Sequence, residues 1–231
     1  SRVSWIVLHY TSADFDRSIE LLTRTPVSSH YLISDSPVRI YQLVDENQRA
    51  WHAGDSAWMG RRWLNASSIG IELVHPGVKQ DGDKLAWVEW DEAQIDALML
   101  LLDDIITRHE LPINSVIGHS DIAPSRKLDP GPAFPWQRLA EAGMIHWPIE
   151  SDVLVRTADY EAQLPDAAWF QDQLKILGYE LARTEQFDQA TKDVLQAVQM
   201  KYRPALFTGE PDAETAAILW SLVQQKQTQE S

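Results

Sequence analysis

The chain has 231 residues and a formal net charge of −14 at pH 7. That length allows one large domain, or a medium domain plus a small one. The acidic balance argues against nucleic acid as a partner, because phosphate binding needs clustered Lys and Arg, and it leaves sugars and peptides open.

Hydrophobic residues make up 44% and charged residues 23%, as expected of a soluble globular chain. There is no cysteine, so disulfides are excluded and any metal has to be held by His and carboxylates. No apolar run reaches the length of a membrane span. The ten Trp residues can stack on sugars, but core filling accounts for most tryptophans.

The apolar run Val3 to Tyr10 reads as a buried strand with His9 near its end. Phe15 to Arg24 reads as a short helix, and 28–34 and 38–45 as strands joined by a turn at Ser36-Pro37. In Ser68 to Val74, alternation places Ile69, Ile71 and Leu73 on one face and Gly70, Glu72 and Val74 on the other. The clearest helix spans Asp91 to His109, with Asp91 and Gln94 forming a capping-box pattern. Ser115 to Gly118 is a strand ending at His119, followed by a proline-rich loop from Asp129 and a helix to Ala142. This mixture predicts an α/β domain over 1–147 with a central mixed sheet flanked by helices. Residues 148–166 are acidic and aperiodic, and read as a linker. Three helical patterns, 167–177, 189–202 and 213–224, predict a small three-helix domain over 167–226.

Of the seven histidines, His109 fits the C-terminal turn of its helix and His30 the packing of its strand. His9 and His119 stand apart because both sit at the ends of apolar strands, where open α/β sheets build their sites. Asp129 follows in a loop stiffened by Pro130 and Pro132. Two histidines and a carboxylate form a zinc set with a fourth position open, although by spacing alone plain structural roles compete with it. Glu72 reads either as a residue on a half-solvated face or as a general base. Lys127 reads either as a solvated loop lysine or as a cation over a developing oxyanion.

Leu8-His9-Tyr10-Thr11, Ser28-Ser29-His30-Tyr31-Leu32, Trp51-His52-Ala53-Gly54, Ser68-Ile69-Gly70-Ile71-Glu72-Leu73 and Gly118-His119-Ser120-Asp121-Ile122-Ala123-Pro124 recur here in one order, closed by Arg126-Lys127-Leu128-Asp129-Pro130-Gly131. As a set over about residues 3 to 147 they resemble the N-acetylmuramoyl-L-alanine amidase type 2 family, in its Gram-negative branch. The resemblance implies zinc on His9, His119 and Asp129, catalysis by Glu72 and Lys127, and Tyr10, His52 and Asn65 in or near the substrate groove. It implies hydrolysis of the amide between the lactyl group of N-acetylmuramic acid, or its 1,6-anhydro form, and L-alanine. Peptidoglycan or muropeptides are the implied partners. The implied location is the periplasm, with a tether to the outer membrane through a lipidated cysteine outside this sequence. The C-terminal part resembles a small peptidoglycan-binding helical domain, but Glu185-Gln186-Phe187-Asp188 stands where that domain has a glycine-rich turn. The competing readings are a recognition module without catalysis and a glycosidase pairing Glu72 with Asp121.

Overall fold

The computed structural model describes residues 2–82 and 84–229. Its centre is a five-stranded sheet of β1 (Trp5–Tyr10), β2 (Tyr31–Ile33), β3 (Ile40–Gln42), β6 (Ser68–Leu73) and β9 (Val116–Gly118), in the order β3-β2-β6-β1-β9. β1, β2, β6 and β9 are parallel, and β3 is an antiparallel edge. Strands covered on both faces need apolar residues in unbroken runs, and Ile6, Val7 and Leu8 of β1 are all fully buried. Two short hairpins, β4 (Ala57–Trp58) with β5 (Arg61–Arg62) and β7 (Val78–Asp81) with β8 (Lys84–Trp87), leave the sheet.

One face of the sheet carries Ile6, Leu8, Ile69, Ile71 and Leu73, which pack with Ile95, Leu98, Leu102 and Ile105 of α2 (Glu92–His109). Each such buried side chain contributes about 1.5–3 kcal/mol. Asp91 caps α2 by accepting the Gln94 N–H at 3.1 Å, but the expected capping box is only half formed. The Gln94 side chain is buried and donates instead to the carbonyls of Ile33 and Val74, at 3.2 and 3.0 Å. Those acceptors at the ends of the sheet strands outbid the helix's own N-cap. Beneath α1 (Phe15–Arg24), Leu22 joins Leu32 and Val74 in a smaller cluster.

The other face is covered by the C-terminal helices. Val7 of β1 and Ile117 of β9 belong to one buried cluster with Phe170 and Leu174 of α6 (Ala167–Leu177), Leu195 and Val198 of α7 (Gln189–Tyr202), and Leu219 of α8 (Ala213–Gln229). The chain therefore has a core that runs through both of its parts. The short helices α3 (His119–Ile122) and α4 (Trp136–Glu141) lie at the seam.

Residues 148–166, expected as a linker, contain helix α5 (Glu150–Ala162) packed along α8. The half-buried positions of α5 are Asp152, Val153, Arg156, Thr157 and Tyr160, a helical stripe of mostly polar side chains. Arg156 lies over the Trp220 ring at 4.3 Å and Tyr160 packs on Trp169. An apolar period was absent because this helix docks through cation–π and aromatic contacts rather than an aliphatic face.

Candidate active site

The parallel strands all end at one edge, and register brings the chemistry together there. His9 of β1 lies directly beside Glu72 of β6, and Leu8 beside Gly118, the residue before His119. Paired residues of adjacent strands project from the same face, so His9 and Glu72 point the same way. A cavity of ≈ 430 Å³ opens above them, lined also by Tyr10, His52, His119, Lys127 and Asp129.

Three ligand atoms converge at its floor. His9 Nδ1 lies 2.9 Å from His119 Nδ1 and 3.1 Å from Asp129 Oδ2, and His119 Nδ1 lies 3.0 Å from the same oxygen. All three residues are buried. The outward bonds fix which nitrogens carry hydrogen. Ser68 donates its hydroxyl to the Leu64 carbonyl at 2.7 Å, so its oxygen accepts the Nε2–H of His52 at 3.2 Å. Neutral His52 then has a bare Nδ1, which accepts the Nε2–H of His9 at 3.0 Å. His9 is left with a bare Nδ1 facing inward. On the other side His119 Nε2 donates to the Ala53 carbonyl at 3.2 Å, which leaves its Nδ1 as the ring nitrogen that faces inward.

Burial works against charge on two of these rings, His9 and His52. Burial and the neighbouring His119 push His9 down to about 4, against the pull of Asp129. Burial and the nearby His9 push His52 well below the ordinary histidine value. Burial alone would raise Asp129, but His119 and His9 hold it below the usual carboxylate range. Two imidazole Nδ1 atoms and a carboxylate oxygen thus face one another within 3.1 Å, a donor set that suits a cation. Tetrahedral zinc with bonds of about 2.0–2.1 Å places its donors about 3.3 Å apart, close to the spacing seen. Among the described residues this is the one group of His and carboxylates spaced to hold a metal.

Glu72 is the other anomaly. Its Oε2 is enclosed and has no hydrogen-bond partner. Burial, with Asp129 adding, pushes its carboxyl up to about 8, and the charge of Lys127 offsets part of the rise. A carboxyl with a raised pKa and one enclosed, unpartnered oxygen, beside a group that could hold a metal, is a candidate proton-transfer residue. Burial likewise pushes the Tyr10 phenol up to about 12.

His52 lines the cavity and also props His9 from behind. It lies across Gly70 so closely that a Cβ there would sit 2.4 Å from its ring. Asn65 does not line the cavity. Its Oδ1 accepts the backbone N–H groups of His52 and Ala53, at 3.0 and 2.8 Å, and so holds the loop that braces both His ligands. Asp121 faces away from the cavity, paired with Lys201 at 2.9 Å, so a glycosidase pair of Glu72 and Asp121 does not exist. The cavity wall also contains residues that motif reading passed over. Leu21, Val27, Trp51 and Leu128 give it an apolar side, and Arg126 staples the wall through the carbonyls of Ala53 and Asp55. For Trp51, Arg126 and Leu128, adjacency to His52 and Lys127 in sequence was the available signal, whereas Leu21 and Val27 have no such neighbour. Behind Asp129, Trp87 of the second hairpin packs on Gly131, where a Cβ would lie 2.6 Å from the ring and φ is +84°.

Residues 1–132 match the family described as N-acetylmuramoyl-L-alanine amidase, and residues 163–219 match a peptidoglycan binding domain. The chain is 42% identical over 230 residues to the N-acetylmuramoyl-L-alanine amidase AmiD of Escherichia coli K12, covering 96% of this chain and 83% of that protein. It is 43% identical over 113 residues to the 1,6-anhydro-N-acetylmuramyl-L-alanine amidase AmpD of Citrobacter freundii, covering 49% of this chain and 55% of that one. The solved complex of E. coli AmiD with anhydro-N-acetylmuramic acid-L-Ala-D-γ-Glu-L-Lys superposes with a TM-score of 0.88 at 41% identity, over 97% of this chain and 90% of that one. AmpDh3 of Pseudomonas aeruginosa with an anhydromuramic pentapeptide gives 0.90 at 38% identity, over 98% and 93%. With the sheet-edge constellation and the whole-length likeness in agreement, the chain belongs to the N-acetylmuramoyl-L-alanine amidase family and is an enzyme of that class.

Proposed function

We propose that this amidase is zinc-dependent and cleaves the amide between the lactyl group of N-acetylmuramic acid, including its 1,6-anhydro form, and L-alanine. The carrying observation is the inward convergence of three potential metal donors, His9 Nδ1, His119 Nδ1 and Asp129 Oδ2, below an open cavity. His9, His119 and Asp129 would hold zinc there, which would supply Lewis acidity for a water and for the carbonyl under attack. Glu72 takes the proton from the attacking water and returns it to the departing amine of L-alanine. Its side chain lines the cavity, and with no hydrogen-bond partner on Oε2 no other group at that oxygen competes for the proton. Lys127 stands on the cavity wall to balance negative charge as the carbonyl carbon becomes tetrahedral.

The substrate assignment is supported by the anhydromuramyl peptides bound to AmiD and AmpDh3. Tyr10 and the apolar side from Leu21 to Leu128 form the surface on which the muramyl peptide lies, while His52 and Asn65 act by holding the ligands. The periplasm is the compartment where this substrate is found as polymer, and a lipid tether to the outer membrane would concentrate the enzyme there. No described helix is long and apolar enough to cross a membrane. Metal content and turnover measured on one Glu72→Ala preparation test the proposal. Retained zinc with hydrolysis lost is expected, whereas near-normal turnover removes Glu72 as the base.

A further inference from the structure

Asp121 follows the ligand His119 by two positions and is 2% exposed. Its Oδ2 accepts the Gly118 N–H at 2.8 Å, which fixes the strand-to-helix turn from which His119 projects. The same oxygen accepts from Lys201 Nζ at 2.9 Å, and Oδ1 accepts from the Tyr179 hydroxyl at 2.6 Å. Both donors come from the helical part of the chain, Lys201 from α7 and Tyr179 from the segment just after α6. Each is buried, so neither bond is a loose surface contact.

Lys201 reaches the second ligand segment as well. Its ammonium lies over the Trp136 ring at 4.2 Å. Trp136 and Pro130 close over Gly118 so tightly that a Cβ there would lie 3.2 and 2.9 Å from them. Pro130 is the residue after Asp129, and the Ser120 N–H donates to the Asp129 carbonyl at 2.9 Å. One buried ammonium thus pins the turn of His119 and the aromatic ring that, with Pro130 of the Asp129 loop, closes over Gly118.

We infer that Lys201 and Tyr179 are positioning residues for the metal centre: the helical domain grips Asp121, and through it sets the ligand geometry of His119 and Asp129. The inference rests on the metal reading given above. It gives the helical domain a task inside the catalytic part, independent of any grip on peptidoglycan. Misplacing a ligand by a fraction of an ångström weakens a metal site even when every ligand is kept.

The test is zinc affinity by competition with a chromogenic chelator, together with thermal unfolding and kcat and KM. Lys201→Met should weaken zinc binding about tenfold or more and lower kcat with little change in KM. Excess zinc should restore most of the lost turnover. Tyr179→Phe leaves no charge unpaired and so keeps the fold, and should weaken zinc severalfold. Ser221→Ala is the control, since it removes the Ile149 N–H bond at the seam without touching Asp121. It should lower the unfolding temperature and leave zinc affinity alone. Folded Lys201→Met and Tyr179→Phe with wild-type zinc affinity overturn the inference and leave the metal reading standing. A wild-type chain that takes up no zinc overturns both.

Discussion

Glu72 and Glu46 are both glutamates with buried carboxylate oxygens, yet the corner near α2 and the cavity floor treat them in opposite ways. Glu46 accepts from Tyr31 at 2.5 Å, from both Arg108 terminal nitrogens at 2.6 and 2.9 Å, and from His109 at 2.7 Å. The Arg108 bonds lead in holding it down to about 2. Glu72 has an oxygen with no partner, and burial pushes it up to about 8. Folding rewards the first carboxylate for being charged and penalises the second. A buried charge left unsatisfied costs stability, and a fold keeps such a cost where chemistry uses it. Asp121 is like Glu46 in its partners, accepting from Lys201, Tyr179 and the Gly118 N–H.

The comparison breaks most visibly at Glu72. Glu72→Gln should cut turnover on the order of 10³-fold, the usual weight of a general base. In metal-free protein the same change should raise stability at pH 7. The folded pKa of Glu72 lies above its unfolded value near 4.5, so its contribution is full at low pH and is lost as pH rises toward about 8. Chemical denaturation of the metal-free wild type and variant across that window should show the difference widening with pH. Parallel curves would remove the penalty from Glu72. Asp121→Asn should do the reverse and destabilise by about 3 kcal/mol, because it leaves the buried Lys201 ammonium without its counter-charge.

Glu46→Gln should cost about 2 kcal/mol at neutral pH, reduced from the full shift because Arg108 is partly exposed. Here the folded pKa is depressed, so the stability is present above about 4.5 and vanishes as pH falls toward about 2. Acid unfolding of variant and wild type should therefore converge near the bottom of that range, and a constant gap would count against the ion-pair account. The smallest effect is expected at Gly70. Gly70→Ala would force the His52 ring away and free His9 to turn, with zinc affinity falling about tenfold in a chelator competition. Unchanged affinity would make His52 a bystander.

Motif order and strand pattern made the site's ingredients legible. His9, Tyr10, Glu72 and His119 line one cavity because they sit at the ends of parallel strands, where register gathers them, and His52, Lys127 and Asp129 reach the same cavity from loops. Asn65 reached that list by association with the groove, whereas its amide serves two backbone N–H groups. The apolar periods gave α2, α6, α7 and α8, but α5 docks through polar and aromatic side chains that have no apolar period to read. The pairing of Asp121 with Lys201 joins positions 80 apart. Nothing local in either sequence segment announces it, since it exists only once the helical domain has closed over the sheet.

The central claim is tested most directly by the products from a purified anhydro-muropeptide, digested with and without chelator and weighed by mass spectrometry. Two fragments are expected whose masses sum to the substrate plus one water, one of them a peptide with a free L-alanine amine. The chelator should stop their formation and zinc should restore it. New reducing ends, or the same fragments formed in full under chelation, would contradict it.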